Sequence, residues 1–225
     1  MLLNAHGAAR LLATSERQIY RWVDDGEIPC RRVRDQLRFN PTDLLEWATA
    51  RRMAVHVEAF EDDDPKDRAP SLAAALQVGG LHRAVPGNDR EEVIRAIVER
   101  LPSSEGFDRA LLIEVMLARA STGLAVAADG IAIPAVRNPI ITPGGRPAVT
   151  IAYLANPVTI NVRTVRTLIV ATTPTVRSHL RLLARVSHAI ADPAFKDALA
   201  RNVELDTLVR EAERIETMPP PEIAE

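Results

Sequence analysis

Residues 58 to 70, EAFEDDDPKDRAP, constrain the fold of this chain more than any other stretch. Acidic residues and two prolines leave almost nothing to bury, and proline interrupts helices and strand ladders alike. No regular element can run through such a segment, so two folded units are expected. A length of 225 residues accommodates them at roughly 150 residues per domain. The expected division is a first domain over 1–54, an acidic linker over 55–70, a second domain over 71–218 and a tail over 219–225.

The first unit reads as helix, helix, short extended pair, helix. Asn4 caps a helix running to Leu12, and Ser15 caps a second whose Ile19, Trp22 and Val23 share one face at i, i+3, i+4. Gly26 ends it. In IPCRRVRDQLRF, Val33, Leu37 and Phe39 are expected to face inward and Arg32, Arg34 and Arg38 outward, in a hairpin turning near Asp35 and Gln36. Asn40, Pro41 and Asp43 then supply the cap, first-turn proline and N-terminal acid of a third helix carrying Leu44, Leu45 and Trp47. Two helices joined by a tight turn, a basic hairpin and a packing helix make a small α+β winged helix-turn-helix.

The outward face of the second helix shows Arg17, Gln18 and Arg21, side chains suited to base edges in a DNA major groove. Ser15 and Tyr20 join this candidate surface. Arg31, Arg32, Arg34 and Arg38 of the hairpin are candidates for phosphate contact. Charge agrees only locally: the whole chain carries −2, yet residues 1–53 hold nine Arg against seven Asp plus Glu. The competing reading is that these arginines merely solvate a small domain. Cys30, the one cysteine, can form no internal disulfide and is expected to be a small buried hydrophobe.

The segment AARLLATSERQIYRWVDDGEIPCRRVRDQLRFNPTDLLEWATARR resembles the excisionase-type, MerR-related helix-turn-helix, with Gly26, Ile28, Pro29, Arg38, Phe39, Leu44 and Trp47 in the family's order. The resemblance covers residues 2 to 52 and implies DNA binding. It departs from the family at the wing tip, where Asp35 and Gln36 stand in place of a frequent glycine.

Past the linker, residues 71–119 read as helical, with Asn88 capping NDREEVIRAIVERL and a further helix from Phe107. Extended runs follow, GIAIPAV, AVTIAYL, VTINV and RTLIVATTP, broken by NPIITPGGRP and ANP. Helices are expected at 175–191, 193–201 and 204–217. Strands mixed with helices imply an α/β domain with a mixed sheet and helices on both faces.

This second unit resembles enzyme IIA of the phosphotransferase system, in its fructose/mannitol and nitrogen-regulatory branch. The family's signature is G-I-A-I-P-H followed by Arg, then later a helix beginning H-L-x-L-L-A. Here Gly130, Ile131, Ala132, Ile133 and Pro134 are followed by Ala135 and, two residues on, Arg137; His179, Leu180, Leu182, Leu183 and Ala184 match the helix. The resemblance implies that position 135 is where a histidine would accept a phosphoryl group, and the methyl side chain of Ala135 is no nucleophile. No catalytic residue is therefore expected. Arg137 and His179 remain as a candidate pocket for a small anion; the competing reading makes His179 a capping or packing residue and the domain a docking or dimerising scaffold.

His6, His56, His82 and His188 lack metal-ligand spacing, so neither metal nor cofactor is expected. No apolar stretch of about 18 residues could span a bilayer, and the start, MLLNAHGAARLL, lacks a secretory pattern. The expectation is a cytoplasmic DNA-binding transcriptional regulator, acting as a homodimer, whose enzyme IIA-like part receives a small anionic ligand or docks a phosphotransferase-system or other signalling protein. Two alternatives stand beside it: a phosphocarrier acting through His179 or another residue, and an excisionase-like architectural DNA-binding factor.

Overall fold

The computed structural model describes residues 2–33, 36–51, 53, 55, 70–102, 107–119, 124–126, 130–134, 140–142, 145–160 and 163–217. Arg34, Asp35, Ala135 and Arg137 lie outside the described residues, as do His56 and most of the acidic segment.

In the first unit, α1 (Ala5–Leu11) and α2 (Glu16–Asp24) are capped by Asn4 and Ser15, whose side chains accept from Gly7 N and Gln18 N. A hairpin of β1 (Arg31–Val33) and β2 (Gln36–Arg38) follows, then α3 (Pro41–Arg51), at whose start Asn40 Oδ1 accepts from Thr42 N at 3.0 Å. The chain start joins the wing through paired backbone bonds between Leu3 and Phe39.

One expectation for the hairpin is corrected, while Arg32 is exposed as expected. Gln36 belongs to β2 rather than to the turn, and the register places Arg32 opposite Leu37 and Arg31 opposite Arg38. Cross-strand partners share a face, so Arg32 stands on the side of Leu37. Cys30 is exposed, not buried. Pro29 and Cys30 form irregular backbone between the helix end and β1, and of residues 28–30 only Ile28 is buried.

The second unit begins with α4 (Leu72–Gly79), β3 (Leu81–Val85), α5 (Arg90–Val98) and α6 (Arg109–Arg119). The strand β3 within a stretch expected to be helical is a correction: only five residues long, it forms an edge strand parallel to β7, a long-range pairing with no local periodic signal. The cap of α5 is Asp89, which accepts from Glu92 N, while Glu92 reaches back to Asn88 N at 2.9 Å. Asn88 thus sits one position outside the cap it was expected to provide.

β4 (Leu124–Val126), β5 (Ile131–Pro134), β6 (Ile140–Ile141), β7 (Ala148–Ile160) and β8 (Arg163–Thr173) complete a mixed sheet of order β3-β7-β8-β5-β4, with β6 also pairing β8. ANP, expected to end a strand, lies inside β7: Tyr153 pairs with Thr167 and Val158 with Val165, so the intervening residues form a bulge and pairing resumes. Then come α7 (Val176–Ala191), α8 (Pro193–Ala200) and α9 (Leu205–Thr217).

Helices α4, α7, α8 and α9 contribute to the core with Ile133, Val149, Ile151 and Ile169 of the sheet, whereas α5 and α6 join Ala132, Ala152, Leu168 and Val170 on its other face. Both faces of the sheet are covered, as its apolar runs imply. α4 lies so close to β7 that a Cβ at Gly79 would stand 2.2 Å from Val149 O, and only glycine fits.

The two units are not insulated from each other. One continuous cluster of buried residues runs from Ala5, Leu11, Phe39, Trp47 and Ala48 to Leu182, Val186, Ala189 and Ile190. α3 packs on α7 and also meets β4. Val55, assigned by sequence to the linker, is 1% exposed within this cluster. Across the junction Thr49 Oγ1 and Ser187 Oγ lie 2.7 Å apart, both buried. Thr49 spends its single proton on Leu45 O at 2.7 Å, so Ser187 is the donor to Thr49.

Candidate functional site

The helix-turn-helix surface is built from the inside outward. Ile19 is fully buried, and Trp22 meets Trp47 edge to face with ring centroids 4.9 Å apart, locking α2 onto α3. The indole of Trp47 donates to Glu27 O at 2.7 Å, and the Arg51 guanidinium lies over its ring at 4.4 Å. With that face committed, Arg17, Tyr20, Arg21 and Asp24 fall on an exposed stripe at i, i+3, i+4, i+7. Tyr20 is 48% exposed, high for an aromatic side chain.

Ser15 and Gln18 belong to the entrance of α2, with Gln18 half-buried and its backbone N–H donating to the Ser15 cap. Arg31 and Arg32 are exposed on β1; Arg38 is half-buried and donates to Gln36 Oε1. The hairpin and α2 meet in a hollow lined by Tyr20 and Asp24 of the helix and Arg32 and Arg38 of the hairpin. Asp24, Asp25 and Glu27 adjoin them, acids that sequence reading did not weigh.

The other site follows the G-I-A-I-P segment. Gly130 has φ of +77°, and a Cβ there would stand 3.0 Å from Thr164 O; its carbonyl accepts from Arg166 N and Thr167 N of β8. The glycine thus sets the register with which β5 enters the sheet, and Ile131 to Pro134 are all buried. The strand delivers the chain to position 135, beyond which the described residues resume at Ile140.

Facing that end of the sheet, α7 starts from Thr175 in a reciprocal cap with Ser178. His179 follows and is 1% exposed, as is Arg181. Two residues apart on a helix stand roughly 200° apart around its axis, so both can be buried only where the helix is covered on two sides. The sheet and α3 cover α7. Arg181, a buried cation two residues from His179, was missed in the sequence because its position is the variable one of the H-L-x-L-L-A pattern. Its signal is a charge inside an otherwise apolar stretch. The structure does not describe Arg137, so the pairing of Arg137 with His179 expected from sequence lies outside the described residues.

Among the described residues no group of three or more His, Cys, Asp or Glu could hold a metal ion, and no helix is long and apolar enough to cross a membrane.

These two geometries define a helix-turn-helix domain joined to an α/β domain of the phosphotransferase IIA type. A helix-turn-helix domain family matches residues 3–52, and residues 79–211 match the family described as phosphoenolpyruvate-dependent sugar phosphotransferase system, EIIA 2. That second match spans more than half of the chain, which belongs to the EIIA 2 family. The chain is 38% identical over 84 residues to the transcriptional repressor DcmR of Methylorubrum extorquens, a match covering 36% of this chain and 30% of that repressor. Its fold is similar to the nitrogen regulatory protein IIA-Ntr of Neisseria meningitidis, with a TM-score of 0.51 at 13% identity over 63% of this chain and 98% of that one. It is also similar to a structure described as PTS IIA (PtxA) of Streptococcus mutans, with a TM-score of 0.51 at 16% identity, covering 66% and 97%.

Proposed function

We propose that this protein is a DNA-binding transcriptional regulator of excisionase-like, MerR-related type, in which the EIIA-family domain senses or docks and does not transfer phosphoryl groups. The observation that carries the reading is the exposed stripe of Arg17, Tyr20 and Arg21 on α2, held on a packed core, with Arg32 and Arg38 of the hairpin lining one hollow with Tyr20. A helix so presented enters a major groove while the hairpin meets phosphates. Partial similarity to a transcriptional repressor supports it.

Two observations support a sensing or docking role for the second domain. Position 135 carries a methyl group where the resemblance implies a phosphoryl-accepting histidine, and His179, the other histidine the resemblance singles out, is 1% exposed. In-line attack requires an accessible, aligned nitrogen. One helix-turn-helix covers one half-site, so the acting species is a homodimer in the cytoplasm.

Selection of binding sites from random DNA tests the reading. The full chain is expected to enrich one sequence and an Arg17→Ala/Arg21→Ala variant none; equal enrichment by both, or none by either, overturns it. In parallel, phosphoenolpyruvate and the general carrier proteins are expected to leave the chain unlabelled, and a phosphorylated His179 would establish a phosphocarrier instead.

A further inference from the structure

At the end of β5 remote from position 135 lies a cavity of about 510 Å³. The β7 bulge creates it. Between the pairs Tyr153–Thr167 and Val158–Val165, four residues of β7 stand against one of β8, so Leu154 to Pro157 swing out of the ladder and leave a hollow beside Arg166. Ile131, Leu154, Pro157 and Leu199 give it apolar walls, and the last turn of α8 closes it with Lys196, Leu199 and Ala200 on one helix face at i, i+3, i+4.

Its polar character is one-sided. Arg166 and Lys196 line it, and no Asp or Glu stands among the described lining residues. Three carbonyls of the helix end above it are already taken, because α8 finishes in a Schellman turn. Arg201 N bonds Asp197 O, Asn202 N bonds Leu199 O and Val203 N bonds Ala198 O, with Asn202 at φ of +53°. The Tyr153 hydroxyl also donates to Leu199 O at 3.0 Å. Asn202 Oδ1 accepts from Arg83 Nε at 3.0 Å, which orients its NH₂ as the donating end of the amide. The charged side chains that line the hollow are thus both cations, set above apolar walls. A volume of this size falls within the range of small-molecule sites.

We propose that this cavity is a binding site for a small organic anion, one carboxylate or phosphate head on an apolar body about the size of an aromatic ring. The head pairs with Arg166 at the rim, beside Lys196, and the body lies against Ile131, Leu154 and Leu199. The site shares no lining residue with the DNA-reading surface or with the segment around His179, so it stands whether or not the chain regulates transcription.

Calorimetric titration of the full chain with benzoate, phenyl phosphate and the neutral benzyl alcohol tests it. At least one of the two anions is expected to bind and the alcohol not to; which anion binds tells carboxylate from phosphate. Arg166→Gln, a change at an exposed side chain, is expected to weaken the anion by about tenfold, the loss of one charge-assisted hydrogen bond. Ala200→Trp, placed to fill the hollow from an exposed position, is expected to abolish binding with the circular dichroism spectrum unchanged. Failure of both anions to bind, equal binding of benzyl alcohol, or undiminished binding by the folded Ala200→Trp chain overturns the proposal.

Discussion

At the scale of single residues, the DNA reading separates two kinds of arginine. Arg21, exposed in the middle of the α2 stripe, is proposed to meet base edges, and Arg32, exposed on the wing, to meet phosphates. Arg21→Ala is expected to cost about 1–3 kcal/mol on a selected site and little on random DNA, whereas Arg32→Ala is expected to weaken both and lower the salt slope by about one. Fluorescence anisotropy at several salt concentrations checks both. His82 offers a pH signature. Burial, and then the nearby charge of Arg100, hold its pKa below the ordinary 6.5, so protons bind the unfolded chain more readily than the folded one. This contribution to stability is complete above pH 6.5 and declines as pH falls from there towards the folded value. His82→Gln is expected to flatten that part of a urea-midpoint profile. The residues that pointed to family and fold, Gly26, Trp47, Gly130 and Pro134, were legible because each has a local backbone or packing role. The exposure of Cys30 was not, since it depends on where an irregular segment crosses the surface.

Among elements, α7 does the most. It closes one face of the sheet and seats α3, and the sequence disclosed only the first of these roles. Its apolar positions announce a buried face; nothing in them says that a helix about 130 residues earlier will cover another. The Thr49–Ser187 bond is a probe of that contact. Ser187→Ala leaves Thr49 still donating to Leu45 O and is expected to cost about 1 kcal/mol. Thr49→Val strands the Ser187 donor in the interface and should cost more, about 1–3 kcal/mol. A double-mutant cycle by urea denaturation should return a coupling energy well above the few tenths seen for independent sites. The same limit of local pattern explains β3 and the continuous β7. A five-residue edge strand and a bulge are settled by pairing with distant residues, while the caps at Asn4 and Ser15 are settled within four residues and were read correctly.

For the whole molecule, the acidic segment suggested two units joined like beads, and the continuous core says otherwise. Unfolding is expected to be one transition. Both tryptophans, Trp22 and Trp47, lie in the helix-turn-helix, so their fluorescence reports on that unit, while far-ultraviolet circular dichroism reports on all the helices. The two signals should share a midpoint in urea; a tryptophan transition well ahead of the circular dichroism would show the first unit unfolding on its own. Fold class and the two families were accessible from sequence because motifs are contiguous. The seating of one unit on the other was not, because it is written in single side chains such as Ala48, Thr49 and Val55, any of which would pass for ordinary core.

Those three side chains carry a consequence for engineering and for descent. Cut away and grafted onto a foreign partner, the first 55 residues would bring a patch of Ala48, Thr49 and Val55 into water. This helix-turn-helix unit is not portable: its outer surface travels with the helix it stands on, and substitutions in either have to be matched in the other.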